Sequence, residues 1–284
     1  MNETLAKHPS NPEMSVGDTP LVVTDHHDNS GVARVTLNRP DRRNSLSRAM
    51  MAAICDALKA LEDDPNVRVI LLCAKGTVFS AGHDLKEITA ARQDSDGGKA
   101  FFEATMADCV RLMLAVTRSS KPIIAVVGGL ATAAGCQLVA SCDLAVASHE
   151  ASFATPGVHI GLFCSTPMVA LSRNIPRKRA MEMLLTGVPI SAHQAAEWGL
   201  VNQVVAAEEL DQSALALANL ITSKPPVTLR MGKAAFYDQL EMSLTDAYAH
   251  TAEVMVENML HAEAKEGMDA FINKRPADWQ NSSS

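Results

Sequence analysis

The sequence predicts an α/β protein with a parallel sheet, and three observations lead to this prediction. Short, β-branched apolar segments such as VRVILLCAKG and KPIIAVV are typical of strands that are buried on both faces. Helix-length segments lie between them, and in one of these Met50, Ile54, Leu58 and Leu61 are spaced as on one apolar face of a helix. Strand and helix alternate from GVARVTLNRP through DLAVAS, which is the order of a sheet with parallel strands.

The elements of this part follow in chain order. GVARVTLNRP alternates apolar and polar residues over residues 32–37 and ends at Pro40, which predicts a strand closed by a turn. A helix is predicted after Ser47, then a buried strand at VRVILLCAKG and a second helix over residues 98–119. KPIIAVV and DLAVAS are predicted to be further buried strands.

We divide the chain into three parts. Residues 1–19 have neither an apolar segment nor an Arg-rich amphipathic pattern, so we predict a flexible N-terminal leader and a cytoplasmic protein. Residues 20–205 form the predicted core. Residues 206–284 are predicted to be helical, and their frequent methionines favour a surface that packs against another subunit over a subdomain that folds back on the core. The predicted helices run from Asp211 to Ser223, from Pro226 to Leu240 and from Leu244 to Leu260, the last with Ser243 and Asp246 as its cap.

Composition excludes several classes of function. A formal net charge of −7 argues against a nucleic-acid partner, which needs concentrated Lys and Arg. The six cysteines form no CxxC pair or Cys/His cluster, which predicts no metal site and a reducing compartment. Residues 122–142 carry no charge over 21 positions, which is long enough to span a bilayer. The pair Gly128 and Gly129 divides this segment, so we predict a strand followed by a buried helix and no membrane partner.

Two loops carry the pattern of a catalytic site. FSAGHDLKE (residues 79–87) and GGLATAAGCQLVASCD (residues 128–143) each place small residues at a strand-to-helix junction. At such a junction the backbone N–H groups are unpaired, and small side chains let a ligand oxygen approach them. Two of these junctions side by side present two donors to one oxygen, which is the geometry of an oxyanion hole.

These loops, with NRPDRRNSLS, KPIIAVVGG, CDLAVASHEASFATPGVHIGL, AMEMLLTGVPISAHQAAEWGLVNQVV and EGMDAFINKRPADW, resemble those of the enoyl-CoA hydratase/isomerase superfamily, the crotonases. The resemblance extends over nearly the whole chain, from Pro20 to Trp279. It implies a crotonase-like spiral of ββα units with a C-terminal helical trimerisation region, in a homotrimer or a hexamer that is a dimer of trimers. It also implies an acyl-coenzyme A thioester as substrate, with no separate cofactor and no metal.

Carried over residue by residue, the resemblance implies that the N–H groups of His83 and Ala134 are the two oxyanion-hole donors. Residues 41–45 would lie near the nucleotide end of coenzyme A, and Lys274 would reach coenzyme A from the same or a neighbouring subunit. The implied substrate- and CoA-binding residues are Arg42, Arg43, Ser45, Ala81, His83, Asp84, Leu85, Lys86, Gly129, Ala134 and Lys274.

Two positions depart from the pattern of a hydratase in this superfamily, which uses two glutamates to hold and activate water. Gln137 and Gly157 stand at these positions. An amide holds a water molecule but cannot take its proton, and glycine offers no side chain. We therefore predict an acyl-CoA enzyme that stabilises a thioester enolate, with His83, Ala134, Gln137 and Gly157 as the catalytic positions and without efficient hydration or isomerisation of enoyl-CoA.

Several alternatives stay open at this point. The string SAGHD also occurs in methylmalonyl-CoA decarboxylases of the superfamily, so decarboxylation is one, and a non-catalytic acyl-CoA-binding oligomer is another. The His83 side chain is interpreted as structural, bonded to nearby backbone, in preference to catalytic. Cys136 is interpreted as a small core residue, and Cys164 as a residue of the pocket wall rather than a nucleophile. Changing Gln137 and Gly157 together to glutamate is predicted to add hydratase activity.

Overall fold

The computed structural model describes residues 19–27 and 30–279 and has the α/β architecture that the sequence predicts. The strands are β1 (Val22–His27), β2 (Val32–Leu37), β3 (Val69–Ala74), β4 (Val78–Ser80), β5 (Ile123–Val127), β6 (Leu130–Thr132), β7 (Leu144–Ser148), β8 (Ser152–Ala154), β9 (Ile190–Ser191) and β10 (Gln203–Val205). The α-helices are α1 (Arg48–Asp63), α2 (Leu85–Ala91), α3 (Lys99–Arg118), α4 (Ala134–Ser141), α5 (Pro167–Asn174), α6 (Arg177–Thr186), α7 (Ala192–Trp198), α8 (Leu210–Thr222), α9 (Pro226–Gln239), α10 (Leu244–Leu260) and α11 (Ala262–Ile272). Short 3-10 helices include Pro40–Arg42, Pro156–Ile160 and Ala207–Glu209.

Residues 1–18 of the predicted leader lie outside the described residues. Within the described ranges, none of the helices is both long enough and apolar enough to cross a membrane. The uncharged segment over residues 122–142 instead contains β5, β6 and α4, so the predicted strand and buried helix are confirmed, with a second short strand between them.

The chain winds as a spiral of ββα units, as the resemblance implies. The larger sheet has the strand order β1-β2-β3-β5-β7-β10, and the smaller sheet has the order β4-β6-β8-β9. Successive strands alternate between them, so that β3, β5 and β7 in the larger sheet are followed by β4, β6 and β8 in the smaller one. Pairing is parallel from β2 to β10 and from β4 to β8, because a helical connection separates each strand from the next one in its own sheet.

Helices cover both faces of the larger sheet. In β3, Ile70 and Leu72 join the main core with residues of α1 and α3, whereas Val69 and Leu71 pack with Ala214 and other residues of α8. Successive residues of a strand point to opposite faces, so a strand covered on both sides needs an apolar residue at every position. This is why the segment around VRVILLCAKG is apolar without alternation.

The described part of the C-terminal region, residues 206–279, has four α-helices where three are predicted from the sequence. The helices α8, α9 and α10 agree with the predicted bounds within one residue, and Ser243 Oγ accepts the Asp246 N–H at 3.3 Å as the predicted cap. The fourth, α11, follows α10 after the single residue His261, which is extended with φ −72° and ψ 147°. No Gly or Pro stands between α10 and α11, so the usual signal of a helix boundary is missing.

Gly129 and Gly135 hold the start of the second loop against the first. A Cβ added to Gly129 would lie 2.1 Å from the Thr77 carbonyl oxygen, and a Cβ added to Gly135 would lie 2.4 Å from the Ser80 carbonyl oxygen. Close contact within the protein therefore explains why these two positions are glycine. From the sequence, the small residues were expected instead to let a ligand reach the backbone. The CoA-binding role of Gly129 stays a prediction.

We expect Gly129→Ala to lower the free energy of unfolding by about 3 kcal/mol, the upper end of the usual cost of overpacking, because the obstructing atom is backbone and cannot rotate away. The midpoint of thermal unfolding at fixed protein concentration measures the effect. Gly232→Ala is the matched control, since a Cβ at this position in α9 meets no atom within 4 Å. It should be neutral or stabilise the helix by up to about 1 kcal/mol. Equal midpoints for the two variants would contradict the assigned role of Gly129.

Candidate active site

Three of the predicted catalytic positions lie just beyond the ends of three neighbouring strands. His83 follows β4, Ala134 follows β6 and Gly157 follows β8, each within three residues of the strand end. The strand β6 pairs in parallel with both β4 and β8. The carboxyl ends of parallel strands lie at the same edge of a sheet, so the fold brings these three positions to one edge.

The amides of His83 and Ala134 lie near each other, and neither has an acceptor in the part of the chain that the structure describes. A Cβ added to Gly82 would lie 3.1 Å from the Ala134 nitrogen, so the peptide that joins Gly82 to His83 passes beside that amide. The Ala133 N–H donates to Ala154 O at 2.9 Å, but no acceptor among the described residues takes the N–H of His83 or of Ala134. Two adjacent unpaired donors are what an oxyanion requires.

Unusual backbone conformations produce this pair of free amides. Gly82 has φ 81°, and Ala133 has φ 51° with ψ −120°, which is uncommon for a residue with a side chain. The turn at Ala133 ends the β6 ladder and starts α4, so the next amide is left out of both. Strained conformations of this kind persist where the surroundings enforce them and cluster at functional sites.

Asn44 fixes the predicted nucleotide-binding segment beside the first loop, a role that the sequence analysis missed. Its buried side chain donates to Lys75 O at 2.9 Å and Val78 O at 2.8 Å and accepts from the Arg39 N–H at 2.9 Å. Asn44 also has φ 48°, a conformation that Asn tolerates better than most residues. The signal available in the sequence was the position of Asn44 between Arg43 and Ser45, four residues after Pro40. An Asn in such a segment is typical of a turn.

Further hydrogen bonds join the two segments. The Ala81 N–H donates to Arg43 O at 3.0 Å, and Ser45 Oγ donates to Asp84 Oδ2 at 3.2 Å. Asp84 also caps α2, where Oδ1 accepts from the Lys86 N–H at 2.9 Å. The structure thus brings together Arg42, Arg43 and Ser45 with Ala81, His83, Asp84, Leu85 and Lys86.

The cationic side chains of this group are exposed to solvent. Arg42 and Arg43 lie at the end of a 3-10 helix, and Lys86 lies in the first turn of α2. Lys274 follows α11, which packs on α9 and α10, and no hydrogen bond among the described residues joins it to this group. The predicted CoA contact of Lys274, from the same or a neighbouring subunit, stays a prediction.

Gln137 is buried in the first turns of α4 with an uncharged neighbour. Its side chain oxygen lies 3.8 Å from Cys109 Sγ, and the residue is 5% exposed. The Ser141 hydroxyl donates to the Gln137 backbone oxygen at 2.8 Å rather than to its side chain. The position that a hydratase would use for a carboxylate therefore holds an amide beside a thiol.

Gly157 has no room for a side chain. A Cβ at this position would lie 2.8 Å from Leu162 O and 3.0 Å from Cys164 Sγ. The Leu162 N–H donates to Gly157 O at 2.9 Å, which ties the following turn to the glycine. The prediction that two glutamate substitutions add hydratase activity took no account of this turn, and the structure opposes it.

The His83 imidazole is anchored on one side only. Nδ1 lies 3.4 Å from Leu46 O, which agrees with the structural interpretation of this residue. Nε2, however, is buried and has no hydrogen-bond partner. Burial lowers the pKa of His83 below its ordinary value, because the protonated ring would lose its solvation.

The cysteines near the site are unsuited to nucleophilic or metal chemistry. Burial raises the pKa of Cys136 to about 12 and that of Cys109 to about 11, and it raises the pKa of Cys164 as well. Such thiols stay protonated at neutral pH. In the described part of the chain, His, Cys, Asp and Glu side chains form no group of three that is placed to hold a metal ion.

The two sheets, the ββα spiral and the three strand ends define a protein of the crotonase fold. A family model described as Enoyl-CoA hydratase/isomerase matches residues 27–282, and the chain belongs to this family. It is 48% identical to the Xenopus laevis protein named Enoyl-CoA hydratase domain-containing protein 3, mitochondrial, over 93% of this chain and 87% of that one. The human protein of the same name is 44% identical over 88% of this chain and 81% of its own. A crystal structure of a Mycobacterium smegmatis enoyl-CoA hydratase is 48% identical, with a TM-score of 0.87 over 92% of this chain and 99% of that chain.

The prediction of a cytoplasmic location is wrong. Similar curated proteins from Xenopus laevis, Rattus norvegicus, Mus musculus and Homo sapiens are all named mitochondrial. The prediction rested only on the lack of a targeting pattern in residues 1–19, and the lack of a pattern is weak ground for a location.

Proposed function

We propose that the protein is an acyl-CoA enzyme that binds the thioester oxygen through the N–H groups of His83 and Ala134 and stabilises the enolate. The observation that supports this is the adjacent pair of amides that have no acceptor among the described residues. Donors of this kind stabilise the charge that develops on a carbonyl oxygen, and each is typically worth about 3–4 kcal/mol in the transition state. Arg42, Arg43 and Lys86 would bind the phosphates and pantetheine of coenzyme A, joined by Lys274 of a neighbouring subunit.

The 13C chemical shift of the carbonyl in a bound thioester tests this proposal directly. With [1-13C]butyryl-CoA, the carbonyl 13C resonance is expected to move downfield on binding, because two donated hydrogen bonds polarise the C=O bond. A thioester that binds with its carbonyl resonance unchanged would rule out the two-amide site. The same titration reports whether the chain binds acyl-CoA at all.

The reaction is to be identified with a panel of acyl-CoA thioesters followed by mass for hydration, isomerisation, decarboxylation and hydrolysis. Decarboxylation of a methylmalonyl-type thioester is the second candidate. It is favoured by the neutral lining at Gln137 and Gly157, because loss of CO2 needs an oxyanion hole and no carboxylate base. Tight binding without turnover across the panel would instead support a non-catalytic acyl-CoA-binding oligomer.

We also propose that the chain forms a homotrimer or a dimer of trimers through its C-terminal helices. Large apolar side chains at the end of this region are strongly exposed in one chain: Leu260 is 82%, Phe271 is 86% and Ile272 is 75% exposed. Apolar exposure on this scale marks an interaction surface.

Light scattering on a sizing column measures this assembly. The wild-type mass is expected at three or six times the 30.3 kDa of one chain, and Phe271→Asp with Ile272→Asp is expected to lower it toward one chain. The exposed Ala60→Asp on α1 is the control and should leave the mass unchanged. A wild-type protein of single-chain mass would contradict the proposal.

A further inference from the structure

Buried polar atoms without a partner gather at the candidate site. Among the described residues, the buried side-chain N and O atoms that lack a hydrogen bond are Arg68 Nε, His83 Nε2, Thr132 Oγ1, Thr155 Oγ1 and His250 Nε2. Three of these belong to His83, Thr132 and Thr155, which lie at or just beyond the ends of β4, β6 and β8. Native proteins seldom leave such atoms unpaired, so a cluster of them marks a place where water or a polar ligand binds.

The tautomer of His83 follows from its one contact. Leu46 O can only accept, so Nδ1 carries the proton in the neutral ring and donates to it. Nε2 then holds a lone pair with no proton and no partner. The lowered pKa of His83 agrees with a ring that stays neutral, and hence basic at Nε2, near neutral pH.

Of the other polar groups described at this edge, the carboxylates already have hydrogen-bond partners, and the amide and the thiols are poor bases. Asp84 accepts from Ser45 Oγ and from the Lys86 N–H, and Glu87 accepts from the Arg48 N–H. The Gln137 amide cannot take a proton, and the neighbouring thiols are held protonated by burial.

We propose that Nε2 of His83 takes and returns the proton at Cα of the acyl thioester, a step for which neither Gln137 nor Gly157 offers a base. This inference rests on the proposed function. His83 then acts on two atoms of the thioester. Its backbone N–H donates to the carbonyl oxygen, and its imidazole exchanges the proton on Cα. Thr132 and Thr155 supply hydroxyls around the same group.

The proton transfer balances without any further reactant. The Cα–H bond breaks and its proton moves to Nε2, while the electron pair forms the double bond between Cα and the carbonyl carbon. The carbonyl π pair moves to the oxygen, where the amides of His83 and Ala134 stabilise the charge. The reverse transfer returns the proton from Nε2 to Cα.

Exchange of the Cα hydrogens of butyryl-CoA with solvent tests the inference. This thioester is saturated and cannot be hydrated, so deuterium uptake from D2O, measured by mass, reports the proton transfer alone. We expect uptake with the wild-type protein and a loss of about a hundredfold or more in His83→Ala, the usual effect of removing a general base. Added imidazole should restore exchange in His83→Ala in proportion to its concentration, which a merely structural role would not allow.

Two further variants keep the test decisive. His83→Asn retains a donor for Leu46 O and has no basic nitrogen, so it should fold and still fail to exchange. His193→Gln changes an exposed histidine on α7 and should exchange as the wild type does. The backbone N–H of residue 83 remains in every variant, so the downfield carbonyl shift of bound [1-13C]butyryl-CoA should remain.

The outcomes separate the two proposals. The role of the imidazole would be overturned if both His83 variants exchanged at the wild-type rate. It would also be overturned if the wild-type protein bound and polarised butyryl-CoA but did not exchange its hydrogens. Either result would leave the proposed function in place. A wild-type protein that does not bind or polarise the thioester would overturn the proposed function, and this inference with it.

Discussion

Crotonyl-CoA is expected to survive in the presence of the purified protein, and changing Gln137 and Gly157 together to glutamate is expected not to create an efficient hydratase. Loss of one general acid or base typically lowers a rate by about a hundredfold to ten-thousandfold, and hydration in this family relies on two. The absorbance of the conjugated thioester follows the reaction. Rapid loss of this absorbance with the wild-type protein would show that the site activates water without either glutamate.

The double substitution should fail because of the turn that follows Gly157. Leu162 O would lie 2.8 Å from the new Cβ, and the turn is tied back to Gly157 by the Leu162 N–H. A glutamate there must displace residues 162–164, at the cost of about 1–3 kcal/mol that overpacking carries, and the displaced turn would leave the carboxylate misplaced. We therefore expect a lower thermal midpoint together with unchanged hydration.

Single substitutions distinguish the effect of the missing space at Gly157 from the effect of adding a carboxylate. Gln137→Glu keeps the shape of the side chain, so it should fold normally, although burial would raise the pKa of its carboxyl group. Gly232→Glu makes the same change as Gly157→Glu where a Cβ meets no atom within 4 Å, and it should leave the midpoint nearly unchanged. A double variant with a wild-type midpoint and rapid hydration would contradict this interpretation of the Gly157 turn.

The longer elements that the sequence predicted agree well with the structure, because the signals for them are local. The spacing in α1 and the apolar run of β3 each involve residues within one element, and the bounds of α8 to α10 came out within one residue. The positions of His83 and Ala134 at one edge followed from the family resemblance together with the strand order.

What the sequence did not reveal depends on contacts between distant residues. The reason for Gly129 is the Thr77 carbonyl, 52 positions earlier in the chain, and the obstacle at Gly157 is the backbone of a turn. The free Nε2 of His83 is visible only once the neighbours of the ring are known. Periodicity and composition carry no information about such distances.

Lys233 and Asp143 form another long-range contact, and Lys233→Met is expected to lower the free energy of unfolding by about 3–5 kcal/mol. Lys233 Nζ lies 2.7 Å from Asp143 Oδ2, and the two side chains are 10% and 15% exposed. Asp143 also accepts from Tyr237 OH at 2.9 Å and from the Ile123 N–H at 2.7 Å. The cluster therefore fastens α9 to the adjoining ends of β5 and β7, and the substitution would leave a buried carboxylate without its cation.

A cavity beside the ion pair is not expected to offset the loss of stability in Lys233→Met. It has a volume of about 320 Å³, and apolar side chains of Pro122, Leu229 and Phe236 form much of its wall. Burial and the Asp143 carboxylate both raise the pKa of Tyr237, so its hydroxyl stays a neutral donor and supplies no positive charge. Water that enters from the cavity would solvate the carboxylate only in part, so most of the destabilisation should remain.

A double-mutant cycle distinguishes this cluster from ordinary surface charge. Asp143→Asn combined with Lys233→Met removes both charges, and it should be less destabilised than Lys233→Met alone because no unpaired charge stays buried. Arg173→Met breaks a pair with Glu241 in which the side chains are 53% and 68% exposed, so its effect should stay below about 1 kcal/mol. Thermal midpoints at one protein concentration rank the variants. If Lys233→Met unfolds no more readily than Arg173→Met, α9 is held to the sheet by its apolar contacts alone. The hydrogen bonds from the Ile123 amide and the Tyr237 hydroxyl would then be enough to stabilise the Asp143 carboxylate.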